Sequence, residues 1–176
     1  MVIDVAKKET FLGYQLRLRE LGVTFLGEGS FGTVYEHPTN PKVAVKIVRS
    51  DTLYLRYAEF CMRHTKNPWL PRIHEVTPLK LKDAPKAYSV FMERLKPAAP
   101  GDFTALRDGL RTKFKLTLWT EPQWFSKDGW KLVARGSDPA FAQLANYFAD
   151  QINRVDLNSN NIMHRGSQIV FTDPVA

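Results

Sequence analysis

The stretch from Leu26 to Lys46 reads L-G-E-G-S-F-G-T-V-Y-E-H-P-T-N-P-K-V-A-V-K and contains glycines at Gly27, Gly29 and Gly32. Because glycine has no Cβ, a turn of this composition lets backbone N–H groups lie against the oxygens of a phosphate. A lysine at the end of the next strand is a compact positive charge that can reach the same phosphates. The stretch therefore predicts a phosphate-binding hairpin followed by a strand that carries a functional lysine.

Length and composition describe an ordinary globular chain. Its 176 residues are 44% hydrophobic and 24% charged, which excludes a disordered protein, and no apolar run is long enough to span a membrane. The start of the chain lacks the apolar centre of a signal peptide, and Cys61 is the only cysteine. We therefore expect a cytosolic protein without an internal disulfide.

The net charge is strongly positive, at +7. It favours anionic partners such as nucleotides or acidic proteins, but a solvated basic surface explains it equally well. A nucleic acid is not expected as a direct ligand.

Periodicity and turn residues predict an antiparallel sheet with helices in the first part of the chain. The predicted helices are 5–21, ended by Gly22, and one that begins at Asp51 and ends before N-P-W-L-P at 67–71. The predicted strands are 23–26, 32–36, 43–48, 73–79 and 87–92, with a turn at 37–41.

A proline- and alanine-rich loop, A-A-P-G at 98–101, predicts a boundary between two lobes, 1–97 and 98–176. The elements predicted after it are a basic helix over 103–118, irregular structure from Trp119 to Gly136, a helix capped by Ser137 that runs to Ile152, a polar loop at 156–161 and a strand over 168–172.

These parts occur in the order of a protein kinase, and from residue 23 to residue 175 the chain resembles that fold. D-L-N-S-N-N, from Asp156 to Asn161, is similar to the D-x-x-x-x-N catalytic loop, and Asp173 of T-D-P-V stands in the place of D-F-G. The resemblance implies an α+β fold with an antiparallel sheet in the N-lobe and a minimal, truncated helical C-lobe.

The resemblance also implies site residues for ATP and Mg²⁺. Lys46 would hold the phosphates, Glu59 would orient the lysine, and Asp156 would accept or orient the proton of the attacking hydroxyl. Asn161 and Asp173 would supply oxygens to Mg²⁺. The residues implied to contact the nucleotide are Leu26, Gly27, Glu28, Gly29, Ser30, Phe31, Gly32, Thr33, Val34, Ala44, Lys46, Met92 as gatekeeper, Glu93 and Leu95.

Each motif taken alone has an ordinary explanation. The glycine loop could be a simple turn, Glu59 a solvated helix residue, and the 156–161 segment a polar loop rich in turn formers. Their occurrence together and in order favours the kinase fold. A small-molecule kinase of the aminoglycoside or choline type is a weaker alternative, because V-A-V-K and G-S-F-G-T-V-Y argue against it.

Within kinases, N-P-W-L-P-R-I, D-L-N-S-N-N-I-M and F-T-D-P-V resemble the early serine/threonine protein kinases of autographiviruses (T-seven-like podophages). This resemblance implies a phage protein that phosphorylates host transcription, RNA-processing or translation components in the host cytoplasm. It would serve host takeover, shut-off or counter-defence.

Departures from the kinase pattern leave a second function open. Arg154-Val155 replaces His-Arg before Asp156, and the peptide-binding helices expected after Asp173 are absent from this sequence. Three explanations would account for the absence of these helices: truncation, completion by a partner, or substrate binding through the basic helix or the Trp119, Trp124 and Trp130 region. A homodimer is plausible. The alternative is a catalytically weak kinase-fold module that binds and inhibits a host protein. The retained Lys46, Asp156, Asn161 and Asp173 favour the enzyme.

Overall fold

The computed structural model describes residues 9–29, 32–49, 52–99, 101–116, 125–151 and 155–174. The fold is α+β, as predicted, with helices, an antiparallel five-stranded sheet and a small three-stranded sheet. Two compact units divide the chain: Met1–Met62 with Arg72–Arg94, and Arg63–Pro71 with Leu95–Ala176. Within the described ranges, no helix is both long and apolar enough to cross a lipid bilayer.

The first unit consists of the five-stranded sheet and two helices. Its elements are α1 (Phe11–Glu20), β1 (Phe25–Gly29), β2 (Gly32–His37), β3 (Asn40–Arg49), α2 (Thr52–Arg63), β4 (Ile73–Leu79) and β5 (Ala87–Glu93). The strand order is β1-β2-β3-β5-β4, and all neighbours are antiparallel.

The first strand starts later than the predicted residue 23. Val23 donates its backbone N–H to the Leu18 carbonyl, 3.0 Å away, and Gly22 has a φ of 72°. Residues 22 and 23 therefore complete the C-terminal cap of α1, and pairing with β2 begins only at Phe25.

Helix α1 covers one face of the sheet. Its Phe11, Tyr14 and Leu18 recur at helical spacing and are buried. They form one apolar cluster with Val23, Tyr35, Ile47, Leu79, Leu81, Ala84 and Ala87. The sheet therefore buries the residues of β2 and β3 that point toward α1, and the residues that alternate with them point to the other face.

The second unit packs around α5. Its elements are β6 (Lys96–Pro97), α3 (Asp102–Phe114), α4 (Lys127–Arg135), α5 (Pro139–Asp150), a 3₁₀ turn (Ser159–Asn161), β7 (Ile162–Arg165) and β8 (Gln168–Phe171). Phe148 of α5 lies at the centre, with ring centroids 4.8 Å from Trp130 and 5.5 Å from Phe171.

Two sequence predictions in this unit were wrong. The region from Trp119 to Gly136, predicted to be irregular, contains helix α4, because Ser126 caps it by accepting the Gly129 N–H at 3.0 Å and its buried face carries Trp130. Helix α5 is capped by Asp138 and not by Ser137, since Asp138 Oδ1 accepts the N–H groups of Ala140 and Phe141.

The segment N-P-W-L-P, at 67–71, packs with the second unit although it precedes β4 in the sequence. Asn67 is buried and donates from Nδ2 to the Ala140 carbonyl at 2.7 Å. Arg165 donates to the carbonyls of Pro68 and Leu70, and the Trp69 ring lies 4.6 Å from that of Phe141. These contacts explain why 63–71 groups with 95–176.

Cys61 of α2 is a free thiol in the core, and burial raises its pKa to about 12. Because the thiolate is the reactive form, and a higher pKa lowers the thiolate fraction at a given pH, we expect iodoacetamide to leave the native protein unlabelled at about pH 8. Labelling should become fast in urea, where the thiol is exposed; mass spectrometry measures both rates. Equal rates in the native and unfolded states would contradict the buried position.

Candidate active site

Lys46 lies in the middle of β3, on the sheet face opposite α1. Its partners in the register are Val34 of β2 and Val90 of β5. The side chain is only 8% exposed, and Nζ stands 3.6 Å from the centroid of the Tyr54 ring on α2. A buried ammonium over an aromatic face is stabilised by the ring quadrupole. Sequence reasoning missed Tyr54, although it is one of the apolar positions at helical spacing in α2.

The structure does not bring Glu59 to Lys46. Glu59 is on α2 five residues after Tyr54, which turns it about 140° around the helix axis. Its side chain is exposed, whereas Tyr54, Tyr57, Ala58 and Cys61 are buried. In the described part of the chain, Glu59 forms no ion pair, and the expected contact between Lys46 and Glu59 is not formed.

Strands β1 and β2 form the predicted glycine-rich hairpin, with Gly29 paired to Gly32. Ser30 and Phe31, which connect these two glycines, lie outside the described residues. A Cβ at Gly27 or Gly29 would meet nothing within 4 Å, whereas a Cβ at Gly32 would lie 2.3 Å from the Ile47 carbonyl oxygen. Gly32 is therefore required by the close approach of β3, whereas the space beside Gly27 and Gly29 is open.

The other residues implied to contact a nucleotide divide between the two faces of the sheet. Val34, Ala44 and Met92 share the face of Lys46, and the Tyr54 hydroxyl lies 3.9 Å from the Met92 sulfur. Thr33 alternates with Val34, and its hydroxyl accepts a hydrogen bond from Gln15 of α1. The Thr33 side chain therefore faces α1 and not the face of Lys46.

The remaining residues of this set lie on β1 and at the ends of the units. Leu26 and Glu28 are exposed on β1. Glu93 ends β5 and exchanges two hydrogen bonds with Arg72, through its N–H and through Oε1. Leu95 begins the second segment of the second unit, just before β6.

The D-L-N-S-N-N segment forms a tightly bonded loop in the second unit. Asn161 donates from Nδ2 to the Asp156 carbonyl at 2.5 Å and to Asp156 Oδ2 at 3.3 Å. Asn158 donates to Asp156 Oδ1 at 3.2 Å. The Asp156 carboxylate is thus oriented by two carboxamides, which is the preorganisation that a general base requires.

Asp173 is placed beside this loop by the backbone. Thr172 donates its N–H to the Asn161 carbonyl at 2.8 Å, and Asp156 donates its N–H to the Pro174 carbonyl at 2.9 Å. Asp173 lies between the two residues that make these bonds, and its Oδ1 is sealed from solvent. The structure therefore brings Asp156, Asn161 and Asp173 together.

A family model described as Bacteriophage T7 protein kinase 0.7 matches residues 4–176 of the sequence. The chain belongs to this family. The match confirms the resemblance to phage protein kinases inferred from the motifs. A comparison with curated proteins found no significant match.

Membership in the Bacteriophage T7 protein kinase 0.7 family implies the use of ATP, usually with Mg²⁺. Mg²⁺ takes oxygen ligands and keeps several waters, so one carboxylate and one carboxamide are a suitable donor set. Asn161 is held through its nitrogen, so its Oδ1 would be available to Mg²⁺, and the adjoining Asp173 would supply a carboxylate. The described residues hold no cluster of three or more His, Cys, Asp or Glu side chains arranged for a metal.

Proposed function

We propose that this chain is a serine/threonine protein kinase that transfers the γ-phosphate of ATP to host proteins in the cytoplasm of the infected cell. The observation that carries the proposal is the hydrogen-bonded loop in which Asn158 and Asn161 orient the Asp156 carboxylate next to Asp173. Family membership and the order of the motifs support the same reaction. The similarity of F-T-D-P-V and D-L-N-S-N-N-I-M to early phage kinases supports serine and threonine as acceptors.

In this proposal each functional group has its own part in the reaction. The Lys46 ammonium binds the phosphates of ATP, and so does the backbone of the glycine-rich hairpin. Asp156 orients the acceptor hydroxyl and takes its proton as the new oxygen–phosphorus bond forms and the bond from the γ-phosphorus to the β–γ bridging oxygen breaks. Asn161 and Asp173 would hold Mg²⁺, which neutralises charge on the phosphates when bound.

Basic side chains along two helices support the proposal that the protein binds partners with acidic surfaces. On α3, Arg107 and Arg111 are four residues apart, and on α4 Lys127, Lys131 and Arg135 recur at every fourth position. Residues four apart lie on one face of a helix, and all of these except Arg107 are exposed. We propose this basic surface for binding acidic segments of host proteins.

The tryptophan region gives less support for substrate binding. Trp130 is fully buried against Phe125 and Phe148, so it belongs to the core and not to a docking surface. Trp119 and Trp124 lie outside the described residues.

Labelled ATP tests the proposed reaction, with the chain alone and with host lysate. Asp156→Asn keeps the size of the side chain and one of its two acceptor oxygens but loses the base, so we expect transfer to fall by about 10²–10⁴-fold. The matched control is Asp150→Asn, at the exposed end of α5, which should keep the parental rate. Hydrolysis of the labelled products to phosphoamino acids identifies the acceptor residue.

Other outcomes separate the two functions. Parental rates in Asp156→Asn would refute the site assignment. Nucleotide binding without transfer by the parental chain would instead support the alternative, a kinase-fold module that binds and inhibits a host protein.

A further inference from the structure

Helix α1 is bonded directly to the glycine-rich hairpin. Gln15 Nε2 donates to Thr33 Oγ1 at 3.0 Å, and Thr33 is only 5% exposed. Thr33 immediately follows Gly32, so the contact lies one residue from the end of β2 at which the hairpin turns. It reaches the hairpin from the face opposite Lys46.

The other attachments of α1 are far from the hairpin turn. The Phe11 N–H donates to Asp83 Oδ1 at 2.7 Å, and the Lys82 N–H donates to the Glu9 carbonyl at 2.8 Å, both in the connection between β4 and β5. The buried face of α1 adds the apolar cluster described above. These contacts hold α1 on the sheet even without Gln15. The hydrogen bond from Gln15 to Thr33 therefore restrains the hairpin more than it stabilises the helix.

The hairpin has few other supports. β1 is the edge strand, pairs only with β2, and exposes Phe25, Leu26, Glu28 and Gly29 to solvent. β2 is held by its ladder to β3, whereas β1 is held only through β2. A hydrogen bond at Thr33 therefore restrains the strand on which the exposed edge of the hairpin depends.

We propose that α1 acts as a brace, which means that it holds the glycine-rich hairpin in position through the hydrogen bond from Gln15 to Thr33. Gln15 and Thr33 are then positioning residues for the nucleotide. The inference rests on the proposed kinase function. Thr33 acts through the backbone of the hairpin and not by touching ATP, because its side chain points to α1.

Calorimetric titration with Mg²⁺ and a non-hydrolysable ATP analogue tests the brace. Thr33→Val keeps the shape and removes the hydroxyl, and Gln15→Leu removes the donor. We expect each to weaken nucleotide binding about 3- to 10-fold, the range that one hydrogen bond of this kind supplies. Thr33→Ser, which keeps the hydroxyl, should bind as the parental chain does. The double variant should be no weaker than either single variant, and in kinetics KM for ATP should rise while kcat stays nearly constant.

Arg17→Met is the matched control on the same helix. It removes the ion pair of Arg17 with Glu9, at 2.8 Å, without touching the hairpin. We expect it to leave nucleotide affinity unchanged. Equal weakening by Arg17→Met and Thr33→Val would overturn the proposal, because the loss would then reflect general destabilisation. Parental affinity in Thr33→Val would overturn it as well.

Amide hydrogen exchange separates failure of the brace from failure of the kinase function. The brace predicts faster exchange at the paired amides of β1 and β2 in Thr33→Val than in the parental chain, with or without nucleotide. If the parental chain binds no nucleotide, the proposed function fails. Unchanged exchange in Thr33→Val would contradict the role proposed for α1, whether or not nucleotide binds.

Discussion

Lys46→Met is expected to lower phosphoryl transfer by about 10²–10³-fold, equivalent to about 3–4 kcal/mol of transition-state stabilisation. Methionine is unbranched and of similar length, so it can lie over the Tyr54 ring, which is now 3.6 Å from Nζ. What is lost is the positive charge in a site that is 8% exposed, where water cannot replace it. Initial rates with labelled ATP measure the loss, and circular dichroism shows whether the fold is kept.

Lys42→Met is the control for Lys46→Met. Lys42 is on the same strand, β3, but its side chain is exposed, so its replacement removes the same charge from a solvated position. Parental activity in Lys42→Met together with the loss in Lys46→Met would assign the effect to the buried site. Similar losses in both variants would mean that overall basic charge matters, and a parental rate in Lys46→Met would refute the assignment of Lys46.

Gly32→Ala is expected to destabilise the protein by about 1–3 kcal/mol, the range for an overpacked site. The new Cβ would lie 2.3 Å from the Ile47 carbonyl oxygen and 3.3 Å from the Val48 Cα. Both are backbone atoms of β3, which cannot rotate away as a side chain can, so β2 and β3 must separate at the start of their ladder. Urea unfolding measures the change in the free energy of unfolding.

Gly29→Ala is the matched variant across the hairpin. Its Cβ would meet nothing within 4 Å, and Gly29 is not among the residues of positive φ, so the free energy of unfolding should stay the same or rise slightly. Nucleotide binding should weaken in Gly29→Ala, because a Cβ then stands between the backbone and a phosphate. Equal destabilisation by the two variants would contradict the separate roles of these glycines.

The elements that the sequence predicted best are those with local signals. β2, β3 and α2 follow from hydrophobic periodicity and turn residues, which act within a few positions along the chain. Helix α4 carried comparable signals, with Ser126 before it and Gly136 after it, but the aromatic residues between Trp119 and Trp130 masked them. The cap of α5 was misplaced by one residue because Ser137 and Asp138 are both good cap residues, and only the geometry selects Asp138.

In the candidate site, too, the sequence was enough to propose some residues, whereas the positions of others depend on the tertiary structure. The order of the motifs along the chain was enough to propose Lys46, Asp156, Asn161 and Asp173. The position of Glu59 was not predictable, because helical periodicity does not state which face of α2 turns toward β3. Burial of Tyr54, Tyr57 and Cys61 decides that rotation, and it leaves Glu59 in solvent.

By itself, the sequence determined the α+β class and the membership in a phage kinase family, because both depend on the types and order of residues, and the same order was enough to propose residues for phosphoryl transfer. The tertiary structure decided that Tyr54 underlies Lys46, that Gly32 meets β3 while Gly29 stays open, and that Thr33 faces Gln15. These three facts depend on distances between residues far apart in the chain, which are set when the sheet packs against α1 and α2.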